Sequence, residues 1–220
     1  MKLKKVASIC SRSNFFCLYD RQEADGEVSQ WLGDSSAIYP IQGLPYMDEE
    51  NIYSMFDISA KKQEKIVFRH QRAPEGINLS DTDPTERRVD EEGLSLIYDG
   101  GMLKPLQTRR GISFIQSKYL SPLDDVADMV QLYERVTLHG MTYIVAKTGL
   151  FLAAVIMPYS VINEKFVNQL SALAQQCRRA LEIQQAAATA DPGDDSQYRI
   201  NVDESTGEII DFPGETEGAE

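Results

Sequence analysis

The chain has 220 residues, of which 42% are hydrophobic and 25% charged, so it is long and apolar enough for one large or two small globular domains. Its formal net charge of -12 is uneven, because residues 191–220 hold ten acidic side chains against Arg199 alone. Three cysteines without regular spacing argue against a disulfide framework and favour a reducing cytoplasm. No stretch approaches the roughly 20 apolar residues of a membrane span.

The first part of the chain, residues 1–72, predicts a β-rich half with one helix. Lys5–Cys10 and Phe15–Tyr19 are short apolar runs on either side of Ser11-Arg12-Ser13-Asn14, a turn-forming cluster. This pattern predicts a β-hairpin. Asp48 is a suitable N-cap for a helix near residues 49–56, whose apolar residues are spaced by three and four.

Residues 73–93 contain few apolar side chains and several prolines, glycines and aspartates, which predicts a loop or linker between two halves.

The second half, residues 94–190, begins with a predicted β-meander. Its turns at Asp99-Gly100-Gly101 and Arg109-Arg110-Gly111 suit hairpins. A helix near 122–136 is predicted next, because Pro122 suits a first helical turn and apolar residues follow at helical spacing.

The most apolar part of the chain is Tyr143–Met157, which predicts two strands joined by a turn at Thr148-Gly149. A long helix is predicted over 161–186, with Ser160 or Asn163 as its N-cap. One face of this helix is spaced by four, three, four and three, like a helix-packing seam, at Phe166, Leu170, Leu173, Cys177 and Ala180. We expect the seam to cover the sheet formed by residues 143–157; the alternative is pairing with the same helix of another subunit.

These elements predict an α+β fold with mainly antiparallel sheet. Three helices are expected, the longest of them C-terminal. The acidic tail, residues 191–220, is predicted to be disordered, because its low hydrophobicity and high charge cannot bury enough apolar surface.

No catalytic, metal-binding or cofactor-binding motif is visible. His70 and His139 have no partner at metal-ligand spacing, and Cys10 and Cys17 are too far apart for a zinc-finger pair. The one local basic patch is the predicted hairpin tip at Arg109 and Arg110, with Lys104 and Lys118 nearby. This patch is the candidate binding site for a phosphate, and a solvated tip is the favoured alternative.

One partial resemblance follows from the segment Lys118-Tyr119-Leu120-Ser121-Pro122-Leu123, a predicted helix, and a strand pair that ends Ala154-Val155-Ile156-Met157-Pro158. This order is similar to the closing part of a DNA sliding-clamp domain. The resemblance implies a nucleic-acid-associated role. The long helix after Pro158 departs from that family, in which the strand ends the domain.

These features are compatible with three functions. The favoured one is a non-enzymatic interaction or assembly protein with a protein partner, existing as a monomer or weak homodimer. The first alternative is a nucleic-acid-associated accessory protein, either sliding-clamp-like or regulatory. The second alternative is an enzyme with an unrecognised site, which a deep pocket gathering Asp20, Arg21, Tyr39 or His70 would support. We expect no cofactor, no metal and no membrane.

Overall fold

The computed structural model describes residues 1–189 and two short strands further on, Asn201–Val202 and Ile209–Asp211. The chain forms two compact units, Met1–Val161 and Ile162–Glu220. The α-helices are α1 Leu3–Ser13, α2 Glu49–Met55, α3 Ala60–Gln63 and α4 Glu164–Thr189. The strands are β1 Phe15–Gln22, β2 Val28–Gly33, β3 Ala37–Ile41, β4 Val67–Arg72, β5 Arg87–Arg88, β6 Asp90–Glu91, β7 Leu96–Tyr98, β8 Gly101–Thr108, β9 Gly111–Gln116, β10 Val130–Val136, β11 Thr142–Thr148, β12 Phe151–Ile156, β13 Asn201–Val202 and β14 Ile209–Asp211.

The first unit is built on an eight-stranded sheet in the order β4-β1-β2-β3-β12-β11-β10-β5. Adjacent strands of this sheet are antiparallel, except for β1 and β4, which are parallel. The predicted strands within Tyr143–Met157 are confirmed as β11 and β12, joined by a turn in which Gly149 has a φ of 63°. Glycine adopts this left-handed conformation without steric cost, which explains the tight turn.

A smaller antiparallel sheet joins β6, β7, β8 and β9. The two predicted meander turns are confirmed, since Leu96–Tyr98 pairs with β8 through Asp99-Gly100, and β8 pairs with β9 through Arg109-Arg110. Asp99 and Gly100 both have positive φ, 49° and 73°, as a type I′ hairpin turn requires.

The core lies on both faces of the large sheet. Neighbouring residues of one strand point to opposite faces, so each central strand contributes to two hydrophobic clusters. Ile144 and Ala146 of β11 belong to a cluster that also contains α1 and α2. Tyr143 and Val145 of the same strand belong to a second cluster with Trp31 and Leu79. Central strands covered on both faces account for the unbroken apolar run in the sequence.

Two local predictions are wrong. Residues 3–13 form α1 rather than the first strand of a hairpin, and the cluster expected to form a turn is the end of that helix: Asn14 is its C-cap, in the left-handed conformation with a φ of 51°. Residues 130–136 form β10 rather than the end of a helix, and the preceding Ser117–Met129 is a 3-10 helical segment with a kink at Val126.

The α+β class, the mainly antiparallel sheet and the C-terminal position of the longest helix are confirmed. The helix predicted near 49–56 is α2, whose N-cap Asp48 accepts a hydrogen bond from the backbone of Asn51. Strands from both sides of residues 73–93 share the large sheet, where β3 pairs with β12. The division into domains 1–72 and 94–190 stays a prediction. The tail predicted as disordered, 191–220, lies outside the described residues apart from β13 and β14.

Candidate functional site

The predicted basic patch is spread along the β8–β9 hairpin and the segment after it, and its lysines already have partners. Lys104 lies in the middle of β8, where its Nζ forms an ion pair with Glu91 Oε2 at 2.5 Å. Lys118 follows β9 at the opposite end from the hairpin tip, with its Nζ 4.8 Å from the centre of the Tyr119 ring. The ion pair offsets the positive charge that Lys104 offers to a phosphate, whereas Lys118 keeps its full charge beside the aromatic ring.

At the tip of the hairpin, Arg109 and Arg110 differ sharply. The Arg109 Nε lies 3.0 Å from Glu134 Oε1, and its backbone N–H donates to Glu134 Oε2. Glu134 is 1% exposed, and Oε1 has no aligned hydrogen-bond donor, so Arg109 supplies its charge partner without an ideal bond. Arg110 has no ion pair within the described part of the chain. Arg109 is therefore a structural residue, and Arg110 is the exposed member of the pair.

A second candidate site joins Asp20 and His70, two of the residues named from the sequence. The parallel pairing of β1 and β4 brings them together, and His70 Nε2 lies 2.9 Å from Asp20 Oδ2. The Tyr46 hydroxyl donates to the same carboxylate oxygen at 2.7 Å, and Gln30 donates to the other at 2.8 Å. The site is on an open surface, since Tyr46 is 57% exposed.

The electrostatics of this cluster do not activate a nucleophile. Burial raises the pKa of Asp20, but hydrogen bonds from His70, Gln30 and Tyr46 outweigh it and lower that pKa below its ordinary value. The hydrogen bond to Asp20 raises the pKa of Tyr46, so the phenol stays protonated. A protonated phenol is a weak nucleophile, so the cluster is better suited to fixing the loop that carries Tyr46.

The other two residues named for a pocket lie elsewhere. Tyr39 donates its hydroxyl proton to the Tyr119 carbonyl. Arg21 donates to the Leu79 carbonyl and the Ser80 hydroxyl, and it lines a cavity of about 510 Å³ beneath the 73–85 loop. The polar atoms there already bond one another, as when Tyr143 accepts from the Asn78 backbone N–H. The residues named for a deep pocket are therefore not gathered in this cavity.

The most unusual surface in the described chain is helix α4, which begins where Asn163 Oδ1 accepts a hydrogen bond from the Phe166 backbone, as predicted for an N-cap. Phe166 is buried, but the seam beyond it is not: Leu170 is 40% and Leu173 52% exposed. The expectation that Leu173 would be buried is therefore wrong. We define the α4 stripe as the apolar residues that share this face: Val167, Leu170, Leu173, Ala174, Cys177, Ala180 and Leu181.

The stripe is wide and uncharged. At about 100° of rotation per residue, its members span an arc of about 140° around the helix. All of them are exposed. The charged residues of α4 lie outside this arc, at Glu164, Lys165, Arg178, Arg179 and Glu182. A helix of 26 residues with one apolar face and one polar face normally buries the apolar face against another element.

Among the described residues, no group of three or more His, Cys, Asp or Glu side chains is placed to hold a metal ion. No described helix is both long and apolar enough to cross a membrane. Comparison of the chain with family models, with curated proteins and with solved structures finds no significant match.

Proposed function

We propose that this chain is a non-enzymatic assembly protein that associates with a second copy of itself through the α4 stripe. The observation that carries the proposal is the exposure of Val167, Leu170, Leu173 and Leu181, each 40–53% accessible on one face of a long helix. Burying the remaining apolar surface of such a side chain contributes about 1 kcal/mol. The hydrophobic effect therefore favours an arrangement in which another apolar surface covers the stripe.

A second copy fits because its charges complement those of the first. Glu164 and Arg178 lie on the same side of the stripe, one near each end of it. An antiparallel copy that places Leu170 against Leu173 brings Glu164 of each chain beside Arg178 of the other. No charged residue falls between the two stripes, so no unpaired charge is buried.

The association is weak, because only a short stripe is available. The apolar gain must exceed an association cost of at least about 4 kcal/mol, which leaves a dissociation constant of about micromolar to millimolar. A weak dimer of this kind responds to local concentration.

All three cysteines are free, and Cys10 and Cys17 lie within the core. Because free thiols are typical of a reducing compartment, we also propose that the protein is located in the cytoplasm.

Sedimentation velocity tests the proposal through a charge swap. We expect Arg178→Glu to weaken dimerisation, because the substitution places two carboxylates together at each end of the helix pair. The double variant Glu164→Lys with Arg178→Glu should restore it, because the charges are exchanged. Arg179→Glu on the opposite face is the matched control and should behave like the parent.

A parent that stays monomeric at about millimolar concentration would refute self-association. Dimerisation that Arg178→Glu leaves unchanged, or that the double variant fails to restore, would refute the antiparallel arrangement.

A further inference from the structure

We propose that a groove between α1 and the α2–α3 corner binds the phosphate backbone of a nucleic acid. The groove has a volume of about 420 Å³. Lys4 and Arg12 of α1 lie on one wall, and Lys62 of α3 lies on the other. The sequence did not single out these residues, because they come from segments about 50 positions apart that only folding brings together.

The three cations are available for a ligand. Lys4, Arg12 and Lys62 are exposed, and none forms an ion pair within the described part of the chain. Asp57 is the one carboxylate that lines the groove. This distinguishes the groove from the predicted patch at the β8–β9 hairpin, where Lys104 and Arg109 are held by Glu91 and Glu134.

The spacing of the cations favours a chain of phosphates over a single one. Lys4 and Arg12 are eight residues apart on one helix, or about 12 Å along its axis. Extended side chains at this spacing can each contact a different phosphate of a nucleic-acid strand, which carries a phosphate about every 3.4 Å of rise. Ser8 and Ser11 lie between them on the same wall, and their hydroxyls can donate to the phosphate oxygens in between.

A membrane surface fits the groove less well. Helices that lie on membranes insert a large apolar face among the lipids. The apolar face of α1 consists of Val6, Ile9 and Cys10, which are buried in the core. The exposed face of α1 therefore offers charges and hydroxyls in a concave site, which suits a rod-shaped polyanion.

Fluorescence anisotropy with the full-length chain tests the site, using a labelled DNA duplex and a labelled RNA duplex of about 20 base pairs at about 50 mM salt. The groove variant is Lys4→Gln, Arg12→Gln and Lys62→Gln together. The matched control removes three exposed cations elsewhere, by Arg72→Gln, Arg87→Gln and Arg88→Gln. Circular dichroism checks that both variants are folded, which we expect because the substituted groove side chains are exposed and unpaired.

We expect salt-dependent binding by the parent that weakens at least about tenfold in the groove variant and less than about twofold in the control. The slope of log K against log salt should fall by about 0.9 for each phosphate that the groove variant no longer neutralises. Absence of binding by the parent, or equal weakening in both variants, would overturn the site. Binding to phosphatidylserine vesicles without binding to either duplex would assign the groove to membranes and also overturn it.

Discussion

Arg135 and Glu86 form a buried ion pair that ties the loop before β5 to β10 of the large sheet. The Arg135 side chain is fully buried, and its Nε and Nη2 donate to Glu86 Oε2 at 2.8 and 2.5 Å. Lys147 donates to the other oxygen, Oε1, at 2.8 Å. Arg135 also donates to the backbone carbonyls of Asn78 and Ser80, so one side chain organises the whole segment.

We predict that Glu86→Gln lowers the free energy of unfolding by about 3–5 kcal/mol, because it leaves two buried cations without a carboxylate. Urea denaturation measures the change. Glu91→Gln is the matched control: it breaks an exposed ion pair with Lys104 and should cost less than about 1 kcal/mol. Equal effects of the two substitutions would show that the Glu86 network contributes no more than a surface pair.

The two arginines at the β8–β9 hairpin tip should respond differently to truncation. Arg109→Ala leaves the buried Glu134 carboxylate without its charge partner, and we expect a loss of about 1–2 kcal/mol. Arg110→Ala should change stability by less than about 0.5 kcal/mol, as is usual for exposed positions. Thermal or urea unfolding of the two variants checks this, and a larger effect at Arg110 would contradict the assignment.

The Asp20 cluster should make stability fall in acid. The folded-state pKa of Asp20 is lowered from its ordinary value of 3.8, so folding favours the carboxylate. Its contribution is complete above the unfolded pKa and is lost as the pH falls through the folded pKa. Asp20→Asn should therefore destabilise the protein by about 1–2 kcal/mol at pH 7 and by progressively less as the pH falls below 3.8. Urea denaturation across this pH range tests this, and a loss that does not change with pH would exclude the mechanism.

The sequence correctly predicted those elements in which a single local pattern indicates the secondary structure. Tyr143–Met157 is rich in β-branched residues around a turn with glycine, and it forms the two strands expected. The predictions were wrong where two sequence patterns indicated different secondary structures. The Ser11–Asn14 cluster suits a turn, but it ends a helix whose buried face is Val6, Ile9 and Cys10 at helical spacing. In β10, the charged residues Glu134 and Arg135 are both buried, so the sequence does not show the alternation of apolar and polar residues that is typical of a strand.

The site residues were harder to predict, because their partners are distant in sequence. Asp20 and His70 are 50 positions apart, and only the parallel pairing of β1 with β4 makes them neighbours. Arg109 looked like a free tip residue because Glu134, its partner, lies on another sheet. The α4 stripe was visible from its spacing, but spacing alone does not distinguish an exposed stripe from a buried one.

The exposure of the stripe changes what truncation should do. Leu173→Ala should lower the stability of the monomer by less than about 1 kcal/mol, because half of the side chain is already in water. Leu132→Ala is the matched control in the core: Leu132 is 2% exposed, and its truncation should cost about 2–5 kcal/mol. Urea denaturation of dilute protein compares the two. A loss at Leu173 as large as that at Leu132 would place Leu173 in the core and contradict its role in the stripe.

The thiol of Cys177 offers the most direct test of the α4 stripe as a self-association surface. Cys177 lies within the stripe and is exposed, whereas Cys10 and Cys17 are buried. We predict that the rate at which Cys177 reacts with a thiol reagent falls as the protein concentration rises, because association covers the stripe. The variant Leu170→Arg with Leu173→Arg should abolish this protection. A Cys177 rate that stays constant with concentration up to about millimolar protein would contradict self-association through α4.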